Sequence, residues 1–190
     1  MFKKNIKNKN NGFTLIETLV ALSIFSFSIL ALVATSTSSL TSLNYARNRV
    51  VANYLSQEGI ESVRNVRDSA VVLNPETGWT DFKSAMQSGG CASVGGCNID
   101  SLVNSQDPGT DTGISPCVGD QACVLYADSS TGYLGTSAVD DPTNFRRVIQ
   151  LIEESSDTGI SEFRITSAVY WMDGGNEKSL ALIEYIYDWQ

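Results

Sequence analysis

The most apolar stretch of the chain runs from Phe13 to Ala34, 22 residues in which Glu17 is the only ionisable side chain. As a helix this stretch would be about 33 Å long, close to the thickness of a bilayer core, and it predicts one membrane span. No glycine or proline interrupts the 46 residues from Phe13 to Glu58, so the helix is expected to continue to about Asp68. Beyond the span, Leu40, Leu43, Val50, Val51, Tyr54 and Leu55 recur at spacings of three, four and seven. This predicts an amphipathic helix over 35–70 that lays its Val50–Leu55 face on a globular head. Arg47, Arg49, Glu58, Glu61, Arg64 and Arg67 fall on other faces and read as solvated charge. The tract "TSTSSLTS" (35–42) competes for backbone hydrogen bonds, and either softens the helix or marks its exit from lipid. Gly59 reads as a tolerated interruption costing about 1 kcal/mol relative to Ala.

Further on the pattern changes period. Residues 71–140 are rich in Gly, Ser, Asp and Thr, with turn signals at "NPETG", "SGG", "VGG", "DPGTDTG" and "DSSTG". They predict a loop-rich region. Residues 145–154, 161–172 and 179–189 are β-branched and aromatic and predict three strands of an antiparallel meander, with "DGGNEK" (173–178) as the last turn. In the second strand Phe163, Ile165, Val169 and Trp171 share one face. In the third, Leu180, Leu182 and Ile186 oppose Ala181, Ile183, Tyr185, Tyr187 and Trp189. Trp171 and Trp189 read as core or rim packing. The fold class is therefore α+β, with a long N-terminal helix packed on a C-terminal antiparallel sheet.

Charge divides the 190 residues unevenly. The first 12 carry Lys3, Lys4, Lys7 and Lys9 and no acid, whereas the rest carry nine basic and 21 acidic side chains. Basic residues beside an apolar span stay on the cytoplasmic side, so the head is expected outside. A body this acidic repels phosphate backbones, and direct nucleic-acid binding is not expected. There is no histidine, which removes the usual triads and the commonest metal ligand. No catalytic site, cofactor or metal is called for. An anchored hydrolase built on Glu153 and Glu154 is disfavoured, because adjacent strand residues point to opposite faces.

Cys91, Cys97, Cys117 and Cys123 all lie beyond the apolar run. An even count in an exported segment predicts two disulfides. A four-thiolate zinc site competes, but both pairs have five intervening residues where zinc ribbons favour two to four. Local pairing (91–97, 117–123) and crossed or nested pairing remain open, since loop-closure entropies differ too little to choose. Asp107, Asp111, Asp120 and Asp128 do not match the spacing of an EF-hand and read as solvated loop acids.

Glu17 poses the functional question. A carboxylate in the bilayer centre costs roughly 2.5–3.5 kcal/mol on insertion scales, so something must offset it. A secretory signal peptide cut near Ala34 leaves the charge and the length unexplained. A plain anchor leaves Glu17 unexplained. Cleavage after Gly12 makes Phe13 a new N-terminus and Glu17 the fifth residue, in the first helical turn. There the helix dipole favours it, and an amine of its own or a neighbouring chain can pair with it.

The stretch "GFTLIETLVAL", behind a basic leader ending in Gly12, resembles the class III signal of type IV prepilins and pseudopilins. The resemblance implies that a prepilin peptidase cuts between Gly12 and Phe13 and N-methylates Phe13. Subunits would then assemble through their N-terminal helices, Glu17 providing the pairing charge. The implied layout is a removed leader (1–12), a transmembrane and assembly helix (13–34), an amphipathic continuation (35–70) and a head (71–190). In the head, the loops of 71–140 are Cys-stapled and the strands fall within 141–190. Implied partners are the peptidase, other pilin subunits, the inner-membrane assembly platform and, before assembly, membrane lipid. The expected location is the cytoplasmic membrane, single-pass with the head outside, and then an extracellular filament or periplasmic pseudopilus. "SQEGIESVRNVRD" is most similar to minor pilin V or pseudopilin I types. The alternative is a bitopic cell-surface binding or adhesion module with the same anchor.

Overall fold

The computed structural model describes residues 12–100, 113–119, 123–136, 141–155 and 161–188. The leader lysines, Asp107, Asp111, Asp120 and Trp189 lie outside the described residues. The chain divides into two units, Met1–Tyr45 and Ala46–Gln190. Helix α1, Leu15–Leu73, contributes to both.

In the first unit, α1 is unbroken through the Ser/Thr tract. Six of the seven hydroxyls there bond back to carbonyls three or four residues earlier, at 2.8–3.1 Å. The tract therefore satisfies itself on its own helix.

The second unit is a layered α+β body. Helix α1 ends at Leu73 because Asn74 precedes Pro75, a position that disfavours helical ψ. Helix α2, Gly78–Ser88, starts hard against the end of α1. A Cβ on Gly78 would lie 2.5 Å from the Val71 Cα, so only glycine fits. This helix falls in the stretch whose composition predicts loop. Its signal is Trp79, Phe82 and Met86 at helical spacing, hidden by flanking glycines. Phe82 and Met86 are fully buried, and Trp79 stacks at an angle on Phe82 and Phe163, with centroids 5.6 and 5.4 Å apart.

Among the described residues seven strands follow: β1 Cys97–Ile99, β2 Ile114–Pro116, β3 Val124–Ala127, β4 Leu134–Gly135, β5 Asp141–Ser155, β6 Ser161–Asp173 and β7 Asn176–Tyr187. The long strands β5, β6 and β7 form the expected meander, antiparallel and in continuous register. The last turn is tighter than expected, only Gly174 and Gly175, with φ of 56° and 82°. Two consecutive residues at positive φ match the twist of a two-residue hairpin. On its other side β5 forks: β1 pairs it at Ile149, β3 at Arg146, Pro142 and Asp141. β2 extends the first arm and β4 the second.

The covering face of α1 differs from the expected stripe. Val50 and Tyr54 are 55% and 66% exposed, and Leu40 and Leu43 are exposed as well. The buried face is Ala52, Leu55, Ser56, Gly59, Ile60, Ser62 and Val63. Four of these seven are small, which lets the helix backbone approach the sheet. Large side chains at the same positions would hold it off. Ile60 and Val63 pack with Phe82, Ile149, Phe163, Ile165 and Ile186, and Ala52 and Leu55 pack with Leu125, Val169 and Trp171. The inward alternation expected of β6 is seen, since Phe163, Ile165, Val169 and Trp171 are all buried.

Two of the charged residues of α1 reach the sheet instead of facing solvent. Arg64 donates from Nε to the Glu184 carboxylate of β7 at 2.9 Å. Glu58 approaches Arg147 of β5, at 3.5 Å from its nearer guanidinium nitrogen. Arg147 has no exposed surface. Its Nε donates to Asn98 Oδ1 (2.8 Å) and one terminal nitrogen to the Ile99 carbonyl (2.7 Å). The other donates to the Leu55 carbonyl (3.4 Å). The planar guanidinium fork thus joins α1, β1 and β5 at one point.

Gly59 is required, not tolerated. A Cβ there would lie 2.4 Å from Ser167 Oγ and 3.2 Å from the Arg147 Cδ. Gly59→Ala gains about 1 kcal/mol of helix propensity but overpacks this contact by about 1–3 kcal/mol. A net loss of stability in chemical denaturation is expected. Ser167→Gly should recover most of it in the double variant, because Ser167 Oγ is buried without a partner. A stabilised Gly59→Ala single variant would show that the helix does not pack this closely.

Candidate functional site

At the N-terminal end, Gly12 is exposed and a Cβ added there would meet nothing within 4 Å. Phe13 is 77% exposed. Helix α1 begins immediately after Thr14, whose carbonyl and hydroxyl both accept from the Glu17 N–H, at 3.1 and 3.4 Å. Thr14 and Glu17 have the spacing of a capping box. That signal is legible in "TLIE" and places the acid in the first turn, where the helix dipole favours it.

Polar side chains within the apolar segment fall into two kinds. Thr18, Ser23, Ser26 and Ser28 each donate to a carbonyl three or four residues earlier, at 2.7–2.9 Å. Such hydroxyls are satisfied in lipid without outside help. The Glu17 side chain has no ion pair among the described residues. From Gly12 to Val50 every residue except Asn48 is exposed. Among the described residues α1 is the one helix long and apolar enough to cross a membrane.

In the second unit the structure joins Cys91 to Cys97 and Cys117 to Cys123, the local pairing. Cys91 and Cys97 are fully buried in the core, while Cys117 and Cys123 are half-buried. A groove of about 580 Å³ runs between α1 and β7, walled by Tyr54, Gln57, Glu61, Arg64, Ile183 and Glu184. It brings together no nucleophile and base. Glu153 and Glu154 are engaged apart, Glu153 with Lys83 of α2 and Glu154 with Arg164 of β6. Among the described residues no three acidic or cysteine side chains gather as a metal site.

Residues 7–33 match the family model of the prokaryotic N-terminal methylation motif. No curated protein and no solved structure matches the chain. The match, with the capped apolar helix behind it, supports a type IV prepilin-like class III signal. Such a motif implies processing by a prepilin peptidase and assembly with other pilin subunits, and the family it defines is a structural one. The long helix followed by an antiparallel sheet has the type IV pilin-like layout.

Asp128 closes a turn and is held by it instead of being free in solvent. Its Oδ1 accepts from the Ser130 hydroxyl and N–H, both at 2.6 Å, and from the Thr131 N–H at 3.1 Å. The Ser130 hydroxyl first, then the two backbone donors, lower its pKa from 3.8 to about 2. A folded value below the ordinary one means the turn is fully stabilised above about pH 4 and loses this contribution as pH falls through about 2. The Ser130 and Thr131 amide resonances should therefore titrate with a midpoint near that lower value and stop titrating in Asp128→Asn. A midpoint at the ordinary carboxylate value would mean that the turn does not hold the carboxylate in solution.

Proposed function

We propose that the chain is a minor pilin or pseudopilin of a type IV filament system, most similar to minor pilin V or pseudopilin I types. The leader 1–12 is removed between Gly12 and Phe13, and the new N-terminus is methylated. The segment 13–34 holds the subunit in the cytoplasmic membrane with its head outside. It then packs against the same segment of neighbouring subunits, in an extracellular filament or a periplasmic pseudopilus. One observation carries this reading: every hydroxyl from Thr18 to Ser28 bonds to its own helix, whereas the Glu17 carboxylate does not. In lipid that leaves one strong acceptor to be satisfied by another chain, and the amine at position 13 of a neighbour has the complementary charge. The exposed Gly12–Phe13 bond, with no side chain at Gly12 to obstruct a protease, is consistent with the cleavage.

Two outcomes follow from this assignment. Mass spectrometry of the mature protein should give a chain beginning at N-methylated Phe13, and Gly12→Val should accumulate uncut in the membrane. Intact Met1 in assembled material, or a start at Thr35, would exclude the class.

Glu17→Leu removes the buried charge, so it should insert at least as well as wild type and still be cleaved. It should fail to enter filaments. Comparing membrane and sheared-filament fractions at equal expression measures this, with Glu17→Gln as the near-isosteric control. Normal incorporation of Glu17→Leu would rule out the pairing role.

A further inference from the structure

The two disulfides occupy unlike positions, and the difference assigns them different chemistry. Cys91–Cys97 lies inside the core with both residues fully buried. Cys117–Cys123 spans the fork of the sheet: Cys117 follows β2 at the end of one arm, and Cys123 precedes β3 at the start of the other. Both of its residues are half-buried, and Val118 beside it is 80% exposed. Cys123 also walls a notch of about 170 Å³ between the arms, together with Asn98, Ser115, Pro116, Val124 and Tyr126. It is the one non-glycine residue at positive φ, 62°, among the described residues. A residue with a Cβ is held there only by its surroundings.

The backbone partners show what this bridge holds. The outer edge of β5 is closed by half-cystines over Arg147–Leu151. The Arg147 N–H donates to the Cys123 carbonyl at 3.0 Å, Ile149 pairs with Cys97, and the Leu151 N–H donates to the Cys91 carbonyl at 2.9 Å. The Arg147 side chain lies beneath, on Asn98, Ile99 and Leu55. The β3–β4 arm beyond Cys123 carries Tyr133 and Thr136. Tyr133 donates within reach of Glu58 of α1 (3.3 Å), and Thr136 binds Asp100 from both its hydroxyl (2.8 Å) and its N–H (3.1 Å).

We infer that Cys117–Cys123 is an exchangeable, redox-sensitive latch on the second arm, and that Cys91–Cys97 is a permanent core staple. The partner is a protein dithiol of the thiol–disulfide oxidoreductase class. Its thiolate attacks one sulfur of the Cys117–Cys123 bond, and the other sulfur leaves with the electron pair and takes a proton. The second thiol of the partner then resolves the mixed disulfide. Two electrons and two protons pass to Cys117 and Cys123, and the partner becomes a disulfide. Reduction lets Cys123 leave positive φ and withdraw its carbonyl from Arg147. The arm that steadies Glu58 then loosens, while the first arm, held by Cys91 and Cys97, stays closed. Oxidation reverses each step and fixes the arm.

The test uses the full chain in detergent micelles under native conditions. A small dithiol, dithiothreitol, is added in increments, free thiols are trapped with an alkylating reagent, and the sites are mapped by mass spectrometry. Cys117 and Cys123 should be labelled together at doses that leave Cys91 and Cys97 unlabelled. At that dose, hydrogen exchange at the Arg147 amide should rise by roughly tenfold or more while the Leu151 amide stays protected. The double variant Cys117→Ser/Cys123→Ser should show the same exchange pattern without reductant. Labelling of all four cysteines in parallel, resistance of Cys117–Cys123 to reduction, or an unchanged Arg147 amide after selective reduction would each overturn the assignment.

Discussion

The guanidinium of Arg147 is the point on which the second unit closes. It has no contact with solvent, and its donors go to a helix carbonyl, a strand carbonyl, an amide oxygen and the edge of a carboxylate. A buried cation is tolerable only when its partners are in place. Removing one partner leaves a charge desolvated, at a cost of about 3–5 kcal/mol in comparable sites. Helix α1, β1 and β5 therefore have little freedom to pack in another register. The small residues of the helix follow from the same constraint. Gly59 stands over the Arg147 stem and Ser167, and only a residue without a Cβ allows Leu55 to bring its carbonyl within reach.

The first unit is governed by the opposite condition. Its described residues are exposed on every side and bury nothing in their own chain, so their stability must come from solvent or from other chains. The apolar surface suits lipid, and the hydroxyls of Ser23, Ser26 and Ser28 are closed onto the helix backbone. Between Thr14 and Ser28, among the described residues, the Glu17 carboxylate is the polar side chain without such a bond. A single helix offers a carboxylate no partner from another element, which is why the role proposed for Glu17 is an intermolecular one.

Between these extremes lie the small strands and the two disulfides. A sheet whose second edge is made of pieces three or four residues long has little ladder to hold it. Backbone N–H groups of β5 donate to cysteine carbonyls and complete that edge, and the covalent bridges keep those carbonyls in position. Edge strands left open are sites for unwanted pairing, and this edge of β5 is closed against it. The outer edge of β7 has no such cover among the described strands and carries Glu177, Lys178 and Glu184 in its sequence, charges of the kind that discourage strand addition.

The sequence by itself determined the features that depend on local chemistry. The uninterrupted run after Phe13 dictates a helix, the period of two from Phe163 to Trp171 dictates a buried strand face, and Gly174–Gly175 dictates a hairpin. The motif at Gly12, Phe13 and Glu17 is equally local, a matter of spacing along one chain. What pairs with what across the fold was decided by the tertiary structure. The covering face of α1 joins Leu55, Ile60 and Val63 to four small residues that carry no hydrophobic signal, so Val50 and Tyr54 were the misleading part of the expected stripe. Helix α2 lay hidden because a buried amphipathic turn can be brief and bracketed by glycines. Cysteine connectivity was likewise undetermined, since closing short or long loops differs little in chain entropy, and strand pairing on β5 selected the local bridges. Arg147 sits in its strand beside Arg146. Its burial becomes sensible only when Asn98, Ile99 and Leu55, drawn from distant segments, supply acceptors in one place. Burial of a charge is a many-body property, and no window of the sequence contains all of its terms.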